Sequence, residues 1–274
     1  MHKAKIHTFE NNQGNVFEYY TYGNKTGYPV LYMHGAIPMP FSPELSGLIE
    51  SHNLYVIMLL RPGYGASSRL NHKNIYEYVI MLQELINALG LEYFDVLGWS
   101  AGAPYCYGIA HAYETLVNGV NICSGIPLAN VPEIYHMNKL SERLLFSLSK
   151  HLPAYIIGKY GIAAIAATER KKGWKDVWEG ETMDHIFQNY VYPNWYGLGQ
   201  STNIQYRNWG FSAETISNEV YIYHSKDDEM IPFRIALQSS KLLKKGKLYT
   251  YDGEEHSSEL LLKDAFMNIA KRHL

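Results

Sequence analysis

Apolar positions along this chain fall into three patterns. Residues 4–9 and 16–22 mix apolar and polar side chains around Asn11-Asn12-Gln13-Gly14-Asn15, which predicts a β-hairpin. Pro29-Val30-Leu31-Tyr32-Met33 and the run from Leu54 to Leu60 are almost wholly apolar. Runs of that length without alternation predict strands buried on both faces of a parallel sheet. From Asn74 to Leu89 the period lengthens. Ile75, Val79, Leu82 and Ile86 form one stripe, so a single amphipathic helix is expected, stopped at Gly90. A strand over Phe94-Asp95-Val96-Leu97, a helix from Ala101 to about Tyr113 and a strand from Val117 to Cys123 complete the first half.

The rhythm then changes. From Ile126 to Ser217 the pattern reads mainly helical, with no clear buried strand. This stretch holds Trp174, Trp178, Trp195 and Trp209, four of the five tryptophans. Strand and helix alternate again over 219–224, 233–243, 247–251 and 258–273. The expected class is α/β, a mostly parallel central sheet with helices on both faces. Residues 1–125 and 218–274 are expected to form the core, and 126–217 an inserted helical cap. Such a cap would lie over the carboxyl ends of the strands, where open α/β sheets bind ligands.

Gly98-Trp99-Ser100-Ala101-Gly102 stands where a strand gives way to a helix. In that setting G-x-S-x-G predicts a nucleophile elbow, a tight turn that lifts one serine hydroxyl out of the sheet. The serine takes a strained conformation, and the glycines remove Cβ atoms that would strike the neighbouring strand or helix. A serine hydroxyl is a poor nucleophile at neutral pH, so it needs a base, an acid to orient that base, and oxyanion donors. His256, past the last strand and before the last helix, has the chain position that brings a base beside the elbow. The segment from Tyr223 to Pro232 offers Asp227, Asp228 and Glu229 as acids. The backbone N–H groups of Ala101 and of Ala36, with Ile37 next in order, are the expected oxyanion donors. His34 is expected to brace the Ala36 loop.

Composition removes several classes of function. The chain has 274 residues, 47% apolar and 18% charged, and a net charge of −2. No basic field exists to draw it to nucleic acid or an anionic membrane. Its 24 tyrosines are expected mainly as packing residues. Cys106 and Cys123 fall in a helix and a strand and read as small core residues, which suits a reducing cytosol. No signal-like stretch opens the sequence and no apolar run reaches about 18 residues, so a cytoplasmic protein is expected. The histidines lack close acid or cysteine partners, and Gly63-Tyr64-Gly65 lacks the third glycine of a dinucleotide fingerprint. No metal and no cofactor are therefore expected; the expected partner is a small-molecule substrate.

Together His34-Gly35, Arg61-Pro62-Gly63-Tyr64-Gly65-Ala66-Ser67, the elbow, Asp228 through Pro232, and His256 resemble the α/β-hydrolase superfamily over nearly the whole chain except the cap. The likeness is to its esterase and proline-iminopeptidase-like branch with a helical cap. It implies the α/β-hydrolase fold, a triad of Ser100, Asp228 and His256, and a structural turn at Arg61–Ser67. An acid four residues before a proline selects Asp228, with Asp227 the alternative. The loop Ala36-Ile37-Pro38 departs from the glycine- and proline-rich stretch of the iminopeptidases, and Ser100 departs from the elbow aspartate of haloalkane dehalogenases. The activity implied is hydrolysis of a small, neutral, fairly apolar ester. Amide, N-terminal peptide or C–C cleavage by the same triad is the alternative, as is a ligand-binding homologue with weak catalysis. A peptidase would need a cap carboxylate such as Glu169, Glu179, Glu181 or Asp184. Trp174, Trp178, Trp195 and Trp209 are candidates for lining the pocket.

Overall fold

A computed structural model of the chain describes residues 4–125, 128, 131–161, 163, 188–189 and 192–273. The strands are β1 (Lys5–Glu10), β2 (Val16–Gly23), β3 (Tyr28–Met33), β4 (Leu54–Leu59), β5 (Phe94–Trp99), β6 (Val117–Cys123), β7 (Glu219–Ser225) and β8 (Gly246–Tyr251). They form one eight-stranded sheet in the order β1-β2-β4-β3-β5-β6-β7-β8. The hairpin β1–β2 and the pair β2–β4 are antiparallel; every other pairing is parallel.

Both faces of the central strands are apolar because successive residues serve different cores. Leu31, Met33, Ile57, Leu59, Val96 and Val120 point into one core, against the helices Ile75–Ile80, Gln83–Ala88 and Ala103–Ala112. Val30, Tyr32, Val56, Met58 and Leu97 point into the other, against Pro43–Ser51 and Glu259–His273. The period of two is present but hidden, since neither face needs polar residues. Below the elbow strand, the buried Asp95 carboxylate accepts from Tyr28, Asn121, Arg272 and His273 at 2.6–3.0 Å. That network ties the last helix to the floor of the sheet.

The helix expected over Asn74–Leu89 is two helices, Ile75–Ile80 and Gln83–Ala88. The Tyr113 hydroxyl donates to Val79 O at 2.8 Å and Ile80 O at 3.3 Å. Between the two helices Met81 and Leu82 turn with shorter bonds, Met81 N–H to Tyr78 O and Leu82 N–H to Val79 O, each at 3.1 Å. The apolar stripe of Ile75, Val79, Leu82 and Ile86 nevertheless stays in one core. Between β6 and β7 the described elements are all helical: Pro132–Met137, Leu140–Ser149, a run over 154–161, and Trp195–Gln205, with short 3-10 turns. No strand occurs there among the described residues.

Candidate active site

Strand β5 ends at Trp99, and Ser100 turns the chain with φ +50° before a 3-10 turn leads into the helix Ala103–Ala112. Holding a non-glycine residue there costs on the order of 1–3 kcal/mol. Both elbow glycines have a steric cause. A Cβ on Gly98 would lie 2.7 Å from Cys106 Sγ and 3.1 Å from the Ala103 nitrogen. A Cβ on Gly102 would lie 2.0 Å from the carbonyl oxygen of Met33 and 2.9 Å from that of His34. The first glycine lets the helix fold back on its strand. The second lets the turn rest against the end of β3.

His256 approaches from the loop after β8. Its Nε2 is 2.9 Å from Ser100 Oγ, and its Nδ1 is 2.8 Å from Asp228 Oδ2. A carboxylate can only accept, so Nδ1 carries the proton and Nε2 is left to accept from the serine hydroxyl. Asp228 is buried, and its other oxygen accepts from the amides of Met230 at 2.9 Å and Ile231 at 2.8 Å. Burial acts to raise the Asp228 carboxyl. The His256 hydrogen bond and charge, the Ile231 amide and His224 outweigh it and hold the group below its ordinary range. Asp227 faces away: its carboxylate accepts from the Gly253 amide at 2.6 Å and is exposed. His224, fully buried behind Asp228, donates from Nε2 to Ile231 O at 2.9 Å, and burial lowers its pKa.

Gly35 brings the other loop to Ser100, since a Cβ there would be 3.7 Å from Ser100 Cβ. His34 is buried, donates from Nδ1 to Gly35 O at 2.8 Å, and accepts the Arg61 amide at Nε2. Burial, then the Arg61 charge, push its pKa well below the ordinary histidine range, so it stays neutral. The Arg61 guanidinium donates to the carbonyls of His34 and Gly35, and the Tyr64 hydroxyl to Ala36 O at 2.9 Å. On the far side of the elbow, Gln205 Nε2 donates to the carbonyl of Ala101 at 3.0 Å. Nothing in the local pattern around Gln205 pointed to that contact; only its helix, packed on the elbow, reveals it.

The tryptophans divide. Trp209, one of the candidates for lining the pocket, is a core residue with no exposed surface, packed between Tyr107 and Phe211. Its indole N–H donates to Gln205 O at 2.7 Å. Trp195 is partly buried against the core of the Pro43–Ser51 face, with the Arg69 guanidinium 5.9 Å above its ring. Trp174 and Trp178 lie outside the described residues, as do Glu169, Glu179, Glu181 and Asp184. Among the described residues no group of three or more histidine, cysteine or acidic side chains is arranged to hold a metal ion. A groove of about 840 Å³, lined by His7, Tyr19, Thr21, Tyr55 and Tyr93, opens at the amino ends of the strands and includes none of the elbow residues. Its volume does not mark it as the site, because ligands of such sheets sit at the carboxyl ends.

No protein-family model matches the chain, and no curated protein matches it. Solved structures do. An esterase from Exiguobacterium antarcticum is 16% identical, with 96% of this chain and 98% of that chain covered at a TM-score of 0.68. An alpha/beta hydrolase fold protein from Chitinophaga pinensis is 20% identical, with 98% and 97% covered at 0.63. Epoxide hydrolase A from Mycobacterium thermoresistibile is 15% identical, with 98% of each chain covered at 0.70. These neighbours share the arrangement along nearly their whole length, and the architecture of this chain is the α/β-hydrolase fold.

Proposed function

We propose that this chain is a serine hydrolase that cleaves a small, neutral, fairly apolar ester through an acyl-enzyme on Ser100. The carrying observation is the single imidazole of His256, which bridges the elbow hydroxyl and a buried carboxylate. In this reading Ser100 Oγ attacks the ester carbonyl while its proton passes to His256 Nε2. Asp228 keeps the imidazole in the required tautomer and stabilises the imidazolium. The carbonyl oxygen, now negative, is held by the Ala36 and Ala101 amides. The tetrahedral adduct collapses, and the departing alkoxide takes the proton back from Nε2. A water then repeats the sequence, delivering its proton to His256 and its oxygen to the acyl carbon. Ser100 leaves as a hydroxyl and the acid is released.

Ala36, Ile37 and Trp99, the partly buried residues flanking the nucleophile, are apolar and support a neutral substrate. Residues 126–217 act in this reading as a cap that selects the acyl and leaving groups. A cytoplasmic setting suits the two unpaired, buried cysteines, and no described helix is long and apolar enough to cross a membrane. Among the fold neighbours, the protein from Exiguobacterium antarcticum is itself an esterase. Ser100→Ala is expected to abolish turnover of p-nitrophenyl acetate and labelling by a fluorophosphonate while leaving thermal unfolding and circular dichroism unchanged. Turnover retained by that variant overturns the assignment. A wild type that neither turns over esters nor takes the label would instead favour ligand binding without catalysis.

A further inference from the structure

We infer that Arg61 is a positioning residue of the oxyanion site, whose buried guanidinium fixes the Gly35–Ala36 peptide and polarises its N–H toward the developing charge. This rests on the ester-hydrolase reading of Ser100. The argument begins with the peptide plane. All described peptide bonds are trans, so the N–H of Ala36 points opposite to the C=O of Gly35. That carbonyl accepts from Arg61 Nη2 at 2.7 Å and from His34 Nδ1 at 2.8 Å. The preceding carbonyl, of His34, also accepts from Arg61. In an extended strand successive carbonyls point to opposite sides. Here one guanidinium collects both, so the chain bends at Gly35 and the Ala36 N–H is turned away from Arg61. Gly35 itself lies against Ser100.

The charge of Arg61 is unusual in what surrounds it. The side chain is 1% exposed, yet among the described residues it has no carboxylate within 4.0 Å. Its Nη atoms donate to backbone carbonyls, its Nε has no partner, and the rings of Tyr64 and Tyr105 lie 5.2 and 4.9 Å from its central carbon. A buried cation balanced only by dipoles and ring faces is destabilising. Its field is therefore uncancelled locally. A positive charge bound to a carbonyl draws electron density through the amide and strengthens the N–H as a donor. As the ester oxygen becomes negative, the same charge attracts it across a low-dielectric gap. Lysine cannot substitute, because one ammonium does not span two carbonyls with a planar fork.

Substitutions at Arg61 itself separate its charge and planar fork from general stiffening of the loop. Tyr64 holds the carbonyl of Ala36, which belongs to the peptide that presents the Ile37 N–H. Its ring also lies 5.2 Å from the Arg61 central carbon, so Tyr64 belongs to the same brace. Arg61→Lys and Arg61→Gln are compared with wild type, each normalised to the serine count from fluorophosphonate titration. For Arg61→Lys the expected loss in kcat is roughly tenfold or more, with KM changed by less than about twofold, since only transition-state contacts weaken. A boronic acid, which forms a tetrahedral adduct on Ser100, is expected to bind more weakly by the same factor. The carbonyl stretch of a trapped cinnamoyl-enzyme is expected to move to higher wavenumber. Arg61→Gln, which keeps an N–H donor but carries no charge, is expected to lose at least as much. Unchanged kcat and carbonyl stretch in Arg61→Lys overturn the inference. So does an unchanged kcat in Arg61→Gln, which remains decisive even if Arg61→Lys does not fold. A wild type inert to ester and label overturns the Ser100 reading and this one together; an active wild type beside an unaltered Arg61→Lys overturns this one alone.

Discussion

Asp228→Asn isolates the tautomer argument from the rest of the site. The wild-type carboxylate accepts from the Met230 and Ile231 amides on one oxygen and from His256 Nδ1 on the other. Asparagine preserves the first oxygen, so the loop keeps both amide bonds and the loss of stability is about 1–2 kcal/mol. In place of the second oxygen it presents an NH₂ to Nδ1. Two donors cannot face each other, so the imidazole moves its proton to Nε2, the atom that must accept from Ser100. The same substitution in a serine protease triad lowers kcat by about 10⁴-fold, or roughly 5 kcal/mol in the barrier. A comparable loss is expected here in steady-state hydrolysis of p-nitrophenyl acetate, with folding checked by urea denaturation. Asp227→Asn is the control: its carboxylate meets only the Gly253 amide at the surface, so kcat is expected within about twofold of wild type. A loss below about tenfold in Asp228→Asn, or an equal loss in both variants, would refute the assignment of roles.

Other perturbations test the scaffold. Gly102→Ala places a methyl 2.0 Å from Met33 O, a backbone atom that cannot swing aside. A loss of about 3 kcal/mol or more, with kcat reduced in the folded fraction, is expected from denaturant titration and active-site counting. Trp209→Ala empties the space of a fully buried indole and should cost about 3–5 kcal/mol, read as a lower urea midpoint with unchanged slope. Burial lowers His72 to about 4. Its folded form refuses a proton that the unfolded chain accepts, so its contribution is intact above pH 6.5 and is lost as pH falls toward 4. Stability lost between pH 7 and 5 is expected to shrink by about 2 kcal/mol in His72→Gln, and an unchanged pH dependence would exclude the effect.

The sequence by itself determined the features that depend on neighbours a few residues away. Apolar runs over 28–33 and 54–59 became strands because parallel strands covered on both faces need no polar positions. The elbow was legible because its glycines answer a local steric demand, and the strand-turn-helix order around it fixed the class of fold. The alternation after Glu219 placed a histidine beyond the last strand for the same reason. Tertiary structure alone decided what depends on residues distant in the chain. Asp227 and Asp228 are adjacent and chemically identical, and only the direction in which the β7 loop presents them distinguishes a surface acid from the partner of His256. Ser100 meets His256 across 156 residues. The helix after Asn74 divides in two, and Trp209 sinks into the core, which no local period records. Arg61 is the sharpest case. Its charge and its place in a turn could be read from the chain, but its burial without an acid partner could not. Whether a charge is solvated, paired or left to act on a neighbouring peptide is set by what the fold packs around it.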